Sequence, residues 1–271
     1  MSRRARSAAP GFERRIYAHR GAAVERPENT LAAFARAVEL GARAIETDAH
    51  ATRDGHLVLS HDAVATRMTG RTLAWRDLTL DEARALDVGW GYVAADGSRP
   101  FAEQGIGVPT LDEALTRFPD VRFNVDLKQA APSIVGPTLA LVRRLHAEDR
   151  VTLASFRART LLEVRRRGYG GETALSQAEV ASMLTLPARL WRQLPFTGTA
   201  AQLPTSFGPV RLDTPEVIDR CHALGLRVDY WTINDPGEAR RLLALGADGV
   251  MTDDPGRIVP AITEAAPRRD R

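Results

Sequence analysis

RIYAHRGAAVERPENTLAAFARAVELGARAIETD, Arg15–Asp48, reads as one strand–helix–strand unit. Arg15–Ala18 and Ala44–Asp48 are short strand-like runs, and between them Thr30–Leu40 is amphipathic and closed by Gly41, as helix C-termini prefer. The alternation continues to the end of the chain. Further strand candidates are Leu57–Ser60, Val121–Leu127, Val151–Ser155, Glu172–Leu175, Thr199–Leu203, Arg227–Thr232 and Gly249–Thr252. Further helix candidates are Ser133–Glu148, Arg159–Arg167, Thr214–Leu224 and Gly237–Leu245, most of them closed by a glycine. Repeated strand–helix units predict a parallel α/β fold, a (β/α)8 TIM barrel first and a doubly wound sheet second. Nine strand candidates exceed the eight a barrel needs, so one lies outside it.

One segment breaks the rhythm. In ETDAHATRDGHLVLSHD, Glu46–Asp62, the strand candidates stand too close for a crossover helix. Asp54-Gly55 signals a two-residue hairpin turn. With Arg53 and His56 flanking it, Asp48 falls opposite His61, and Glu46 shares the face of Asp48. The hairpin is either part of the barrel wall or a distortion of it. Residues 63–108 follow, too long for a barrel loop and too short for a domain, with Trp75, Trp90, Tyr92 and a helix near Leu80–Leu86. They are expected to form a small cap over one barrel end.

Composition bounds the rest. The 271 residues are 44% hydrophobic and 26% charged, which excludes collagen-like, disulfide-rich and disordered classes. The single cysteine, Cys221, excludes an internal disulfide. No run approaches the roughly 18 apolar residues of a membrane helix, so no stable membrane insertion is expected. The net charge of +3 resides in the ends: residues 1–15 carry five arginines against Glu13, and residues 264–271 three arginines against Glu264 and Asp270. The body has no basic excess, so no nucleic-acid partner is expected. The organisation expected is a basic arm over 1–14, one barrel domain over 15–262 and a tail over 263–271. The arm has no apolar segment of the kind a secretory signal needs, so a cytoplasmic protein is expected. Oligomeric state stays open.

Rare residues mark the chemistry. Lys128 is the one lysine, and Asn29, Asn124 and Asn234 are the three asparagines, within PENT, NVDLK and WTIND. Polar groups gather where strand candidates end: His19-Arg20, Glu46 and Asp48, His61-Asp62, and Asp126 and Lys128. In a parallel barrel these ends converge on one face. Inward carboxylates repel unless a cation neutralises them. Glu46, Asp48 and Asp126 thus form an all-oxygen set suited to one hard divalent cation, Mg2+ or Ca2+. With two histidines, Arg20 and Lys128 alongside, the set describes phosphoryl chemistry. Nothing in the chain matches G-x-S-x-G, a Walker A loop, H-E-x-x-H or a dinucleotide fingerprint.

Weaker features are read in two ways. Asn29 or Thr30 caps the first helix, or Glu28 and Asn29 support His19. His50 and His56 are expected in solvent near the hairpin tip, His146 on the surface and Cys221 in the core. Trp75 and Trp90 either pack the cap or meet substrate. Phe156 and Trp231 either wall the alcohol site or pack in the core.

The motifs IYAHRG, PENT, IETD, T-x-DG and HD within residues 16–62 resemble the glycerophosphodiester phosphodiesterase family, whose barrel is similar to that of phosphatidylinositol-specific phospholipases C. The resemblance continues through VPTLDEAL (Val108–Leu115), NVDLK (Asn124–Lys128), ASF (Ala154–Phe156), WTIN and LGADGVMTDDP (Trp231–Pro255). It implies a distorted (β/α)8 barrel with a small insertion after the HD motif. It also implies metal-dependent hydrolysis of glycerophosphodiesters, such as glycerophosphocholine and glycerophosphoethanolamine, to sn-glycerol 3-phosphate and an alcohol. On that resemblance His19 and His61 are the acid–base pair, and Glu46 and Asp48 are metal ligands. Arg20 and Lys128 hold phosphate, and Trp231 lines the substrate. The third ligand, commonly glutamate, is Asp126, whose carboxylate is drawn back by roughly 1.5 Å. The rivals are a lysophospholipase D-like action on the same barrel and a catalytically silent phosphodiester-binding barrel.

Overall fold

A computed structural model describes residues 12–191, 193–194 and 198–263. The elements run β1 (Arg15–His19), α1 (Leu31–Glu39), β2 (Ala44–Ala51), β3 (Leu57–Leu59), α2 (Thr66–Thr69), α3 (Leu80–Arg84), α4 (Leu111–Arg117), β4 (Arg122–Leu127), α5 (Val135–Arg144), β5 (Val151–Ala154) and α6 (Ala158–Arg166). There follow α7 (Gln177–Thr185), α8 (Ala188–Trp191), β6 (Ala200–Leu203), β7 (Ser206–Phe207), β8 (Val210–Arg211), α9 (Pro215–Ala223), β9 (Arg227–Tyr230), α10 (Pro236–Leu245), β10 (Gly249–Thr252) and α11 (Pro255–Thr263).

Seven parallel strands form one curled sheet in the order β5-β4-β2-β1-β10-β9-β6. The gap between β5 and β6 is closed by two parallel bridges, Leu153 to Thr173 and Ala174 to Ala200. The fold is therefore the expected (β/α)8 barrel, with the eighth strand reduced to a two-residue link. The surplus candidate is β3, which pairs antiparallel with β2 outside the ring. No helix among the described residues is long and apolar enough to cross a membrane.

Local chemistry explains the helices that cover the barrel. Thr30 Oγ1 accepts from the Ala33 amide and caps α1, whose Ala33, Phe34 and Ala37 bury one face. Phe34 meets Phe123 of β4 edge-on, with ring centroids 6.0 Å apart. Truncating such a ring costs about 3–5 kcal/mol. Thr110 with Glu113 and Ser176 with Glu179 form capping boxes on α4 and α7. Proline opens α9 and α10, and Gly246 closes α10 at φ 112°.

The barrel's two ends differ. At the amino-terminal end, Arg227 and Asp229 are fully buried as an ion pair, and Arg15 pairs with Glu172. The Glu13 carbonyl accepts from Arg227, and Phe12 stacks on His222. Phe12–Arg14 therefore lie across this end instead of extending as an arm. The expectations for residues 1–11 and 264–271 fall outside the described residues. The strand carboxyl ends carry the loops described next, and residues 63–108 fold beside them around Met68, Trp75, Ala83 and Val88. This insertion reaches the β1 loop where the Tyr92 hydroxyl donates to the Val24 carbonyl at 2.6 Å.

The hairpin register differs from expectation. Ala49 pairs with Leu59 and Ala51 with Leu57, so Asp48 lies opposite Ser60, not His61. The loop has three residues, Arg53 to Gly55, because Thr52 is the flank: its amide donates to the His56 carbonyl. Its hydroxyl accepts from the His56 amide and donates to Asp54. Gly55, at φ 88°, closes a three-residue loop of the type that ends in a left-handed residue.

Candidate active site

Three neighbouring strands set the site's floor. His19 of β1 is the Cα partner of Glu46 on β2, and Asp48 of β2 is the partner of Asp126 on β4. Partners in a parallel pair point the same way, so these side chains share the barrel interior. Glu46, Asp48 and Asp126 are all buried. Asn124 lies one layer below and pairs across the barrel with Gln202, its Oδ1 accepting from Nε2 at 2.9 Å.

The turn after β1 presents Arg20. Gly21, at φ 88°, allows it, and a Cβ there would lie 2.7 Å from Ala33 of α1. Arg20 itself takes φ 59°, an uncommon conformation fixed by its amide on the Glu46 carbonyl and its carbonyl on the Asn29 amide. Its guanidinium donates to Glu28 Oε1 at 3.1 Å and stands 3.4 Å from Asp48 Oδ2. Thr30 is the α1 cap. Asn29 instead donates to Asp48 Oδ2 at 3.1 Å and accepts from Thr47, so it steadies Asp48 rather than His19.

Lys128 Nζ lies 3.0 Å from Asp48 Oδ1 and 2.7 Å from Asp126 Oδ2. Burial opposes the charge on Asp48, yet Lys128 and Arg20 hold its carboxyl below the usual range. Burial pushes Asp126 up despite Lys128. Burial, with Asp48 alongside, pushes the Glu46 carboxyl up to about 8. Glu46 Oε2 and Asp126 Oδ1 are buried with no hydrogen-bond partner.

Both histidines are tethered at Nδ1. His19 meets Asp253 Oδ1 at 2.6 Å, and His61 meets Asp62 Oδ1 at 2.8 Å. Each ring thus turns Nε2 outward from its carboxylate; that of His19 lies 3.7 Å from Glu46 Oε2. Burial disfavours the imidazolium of His19, but Glu46 and Asp253 outweigh it and its pKa is raised. His61 joins the site through Asp62, although the hairpin register does not set it opposite Asp48. β3 ends at Leu59, so alternation no longer governs the side chain.

Aromatic residues form one rim. Phe156 is 55% exposed and meets Trp231 edge-on at 6.1 Å, with Lys128 Nζ 5.5 Å from its ring centroid. Core packing is excluded for Phe156. Trp75 is cap core, its Nε1 donating to the Asp62 carbonyl at 2.9 Å, and Trp90 lies under Arg99. His50, expected in solvent, is buried and donates to the His61 carbonyl at 3.4 Å. The strand face that carries it packs under the HD loop, which the solvent reading of the hairpin missed.

The structure therefore brings His19, Arg20, Glu46, Asp48, His61, Asp126 and Lys128 into one network, with Trp231 at its edge. Asp253 was not foreseen, and Asn234, marked by its rarity, gains its role from it. Asn234 Nδ2 donates to Asp253 Oδ2 at 2.8 Å, while its Oδ1 accepts from the Asp253 amide at 2.9 Å. Among the described residues no three His, Cys, Asp or Glu groups stand as a ready-made ligand set. Lys128 lies between Asp48 and Asp126. The donor chemistry still fits a hard cation: three buried carboxylates, two with an unpartnered oxygen.

Comparison with known proteins gives the same picture. Residues 19–257 match the model of the glycerophosphoryl diester phosphodiesterase family. A Mycobacterium tuberculosis protein named "probable glycerophosphodiester phosphodiesterase 2" is 36% identical over 87% of this chain and 86% of its own. A glycerophosphodiester phosphodiesterase of Caldanaerobacter subterraneus is 31% identical over 90% of this chain and 96% of its own. An Oleispira antarctica phosphodiesterase, solved in complex with the product sn-glycerol-3-phosphate, superposes with a TM-score of 0.75 at 23% identity. That alignment covers 92% of this chain and 96% of the other.

Proposed function

The chain belongs to the glycerophosphoryl diester phosphodiesterase family, and from that premise we propose that it hydrolyses glycerophosphodiesters such as glycerophosphocholine to sn-glycerol 3-phosphate and an alcohol, with His19 and His61 as the acid–base pair. The observation that carries this reading is the double tether. Two imidazoles, each fixed at Nδ1 by its own carboxylate, flank one anionic pocket holding Arg20 and Lys128.

Arg20 and Lys128 grip the phosphoryl oxygens and orient the ester between the histidines. One histidine takes the proton from the attacking oxygen at Nε2, and the other gives a proton to the leaving alkoxide. Asp253 and Asp62 hold the rings in the tautomer this needs and favour the imidazolium when it forms. Glu46, Asp48 and Asp126 would hold one divalent cation, Mg2+ or Ca2+. Such a cation supplies positive charge to the phosphoryl oxygens. Phe156 and Trp231 give the alcohol an aromatic wall on which a quaternary ammonium can rest.

The test is release of sn-glycerol 3-phosphate from glycerophosphocholine with added Mg2+ or Ca2+ and again with EDTA. Product with metal and none with chelator is expected. No product with either metal, but turnover of lysophosphatidylcholine, would transfer the reading to a lysophospholipase D-like action.

A further inference from the structure

Arg67, on the short cap helix α2, uses every face of its guanidinium. Nε donates to Asp62 Oδ2 at 2.6 Å, while Nη1 and Nη2 donate to Glu28 Oε2 and Oε1 at 2.9 and 2.8 Å. Both acceptors already serve the site. Asp62 presents its other oxygen to His61 Nδ1, and Glu28 Oε1 also accepts from Arg20 Nη1 at 3.1 Å. A continuous chain of charge-assisted contacts thus runs His61–Asp62–Arg67–Glu28–Arg20.

We propose that Arg67 is a positioning residue by which the cap sets two groups at once: the His61 ring, through Asp62, and the Arg20 guanidinium, through Glu28. The proposal rests on the catalytic reading given above. Arg67 touches no reacting atom and acts through its two carboxylates.

The cap is built to hold this fork still. Met68, next to Arg67, is buried, and a Cβ on Gly91 would lie 2.6 Å from the Met68 backbone. Gly70 ends α2 at φ 69°, with the Trp90 ring 3.3 Å from where its Cβ would stand. Helix α2 is therefore seated with its arginine facing the barrel loops. The partners need this support. Asp62 and His61 have side chains 31% and 37% exposed, so water competes for their contact once Asp62 Oδ2 is released. A lysine cannot replace the fork, because a single ammonium cannot hold a planar bidentate pair and a third oxygen in these directions.

The experiment compares wild type, Arg67→Lys, Arg67→Met and Glu28→Gln in steady-state hydrolysis of glycerophosphocholine with metal, alongside thermal melts. Arg67→Met is expected to lower kcat and raise KM, each about tenfold or more. Arg67→Lys should recover little of either, with melting close to wild type. Glu28→Gln should act mainly on KM, and adding Arg67→Met to it should cost less in KM than Arg67→Met costs alone. Loss confined to kcat at unchanged KM would leave Arg20 unaffected by Arg67 and overturn the double role, and melting well below wild type would do the same by marking a smaller folded fraction. So would full rescue by Arg67→Lys, or strictly independent effects of Arg67 and Glu28. An inactive wild type would instead count against the catalytic reading itself.

Discussion

His19 Nδ1 lies 2.6 Å from Asp253 Oδ1 across 234 residues of sequence. The contact exists because β1 and β10 are parallel neighbours that close the barrel, with Ala18 paired to Thr252. Each strand then delivers its next residue to the same face. Asn234, from the loop after β9, fixes Asp253 from behind.

Asp253→Asn keeps the shape but removes the charge and leaves one acceptor where His19 and Asn234 need two. We expect kcat to fall about 10²-fold, in the range seen when a carboxylate supporting an imidazole is replaced. Steady-state kinetics at saturating substrate would check it; turnover within a factor of two of wild type would rule out the orienting role.

The same residue makes a pH prediction. Burial opposes the Asp253 carboxylate, but His19 and Asn234 hold its pKa below the usual range. Its contribution to stability is therefore full above the unfolded pKa, about 3.9, and is lost as pH falls through the folded pKa. Melting of wild type and Asp253→Asn should differ at pH 6 and converge on acidification below about pH 4. A gap that stays constant from pH 6 to 3 would contradict the shift.

Lys128 offsets two buried carboxylates, so Lys128→Met should be costly. Breaking a buried pair costs about 3–5 kcal/mol. The loss should be smaller with Mg2+ or Ca2+, because Asp48 and Asp126 then gain another positive partner. Denaturant melts with EDTA and with metal would show it. Equal losses in both conditions would separate Lys128 from the cation site.

Metal itself should stabilise the fold. A cation at 100 times its Kd adds about 2.7 kcal/mol, a rise in Tm of roughly 5–10 °C. Glu46→Gln and Asp126→Asn should each weaken that rise, since each removes charge beside an unpartnered oxygen. An undiminished rise in both variants would place the ion elsewhere.

Gly21→Ala should damage fold and site together. It puts a Cβ at φ 88° within 2.7 Å of Ala33. The expected cost is about 3 kcal/mol, or roughly 10 °C in Tm. Unchanged melting would show that the β1–α1 turn can relax without loss.

How much of this was legible follows from periodicity. Strand alternation put Glu46 with Asp48, and Asn124 with Asp126 and Lys128, and the barrel rule brought their ends together. The rarity of Asn29 and Asn234 marked the residues that steady Asp48 and Asp253, although not what each holds. Asp253 went unread because TDDP offers two adjacent carboxylates at the end of β10, and which one faces His19 depends on the closing register. The hairpin was misread by one residue because Thr52, not Arg53, flanks the turn. The strand at Glu172–Leu175 survives only as two bridges, since Gly170 and Gly171 precede it and the chain soon enters the Ser176 cap of α7. The Arg67 network joins the cap to two loops, so neither spacing nor alternation reveals it.

The central claim is the histidine pair, and the most direct test is the turnover of glycerophosphocholine by His19→Ala and His61→Ala in the presence of metal. Each variant should fold, bind phosphate through Arg20 and Lys128, and lose about 10²–10⁴-fold in kcat. Near-wild-type turnover by either variant would contradict the account.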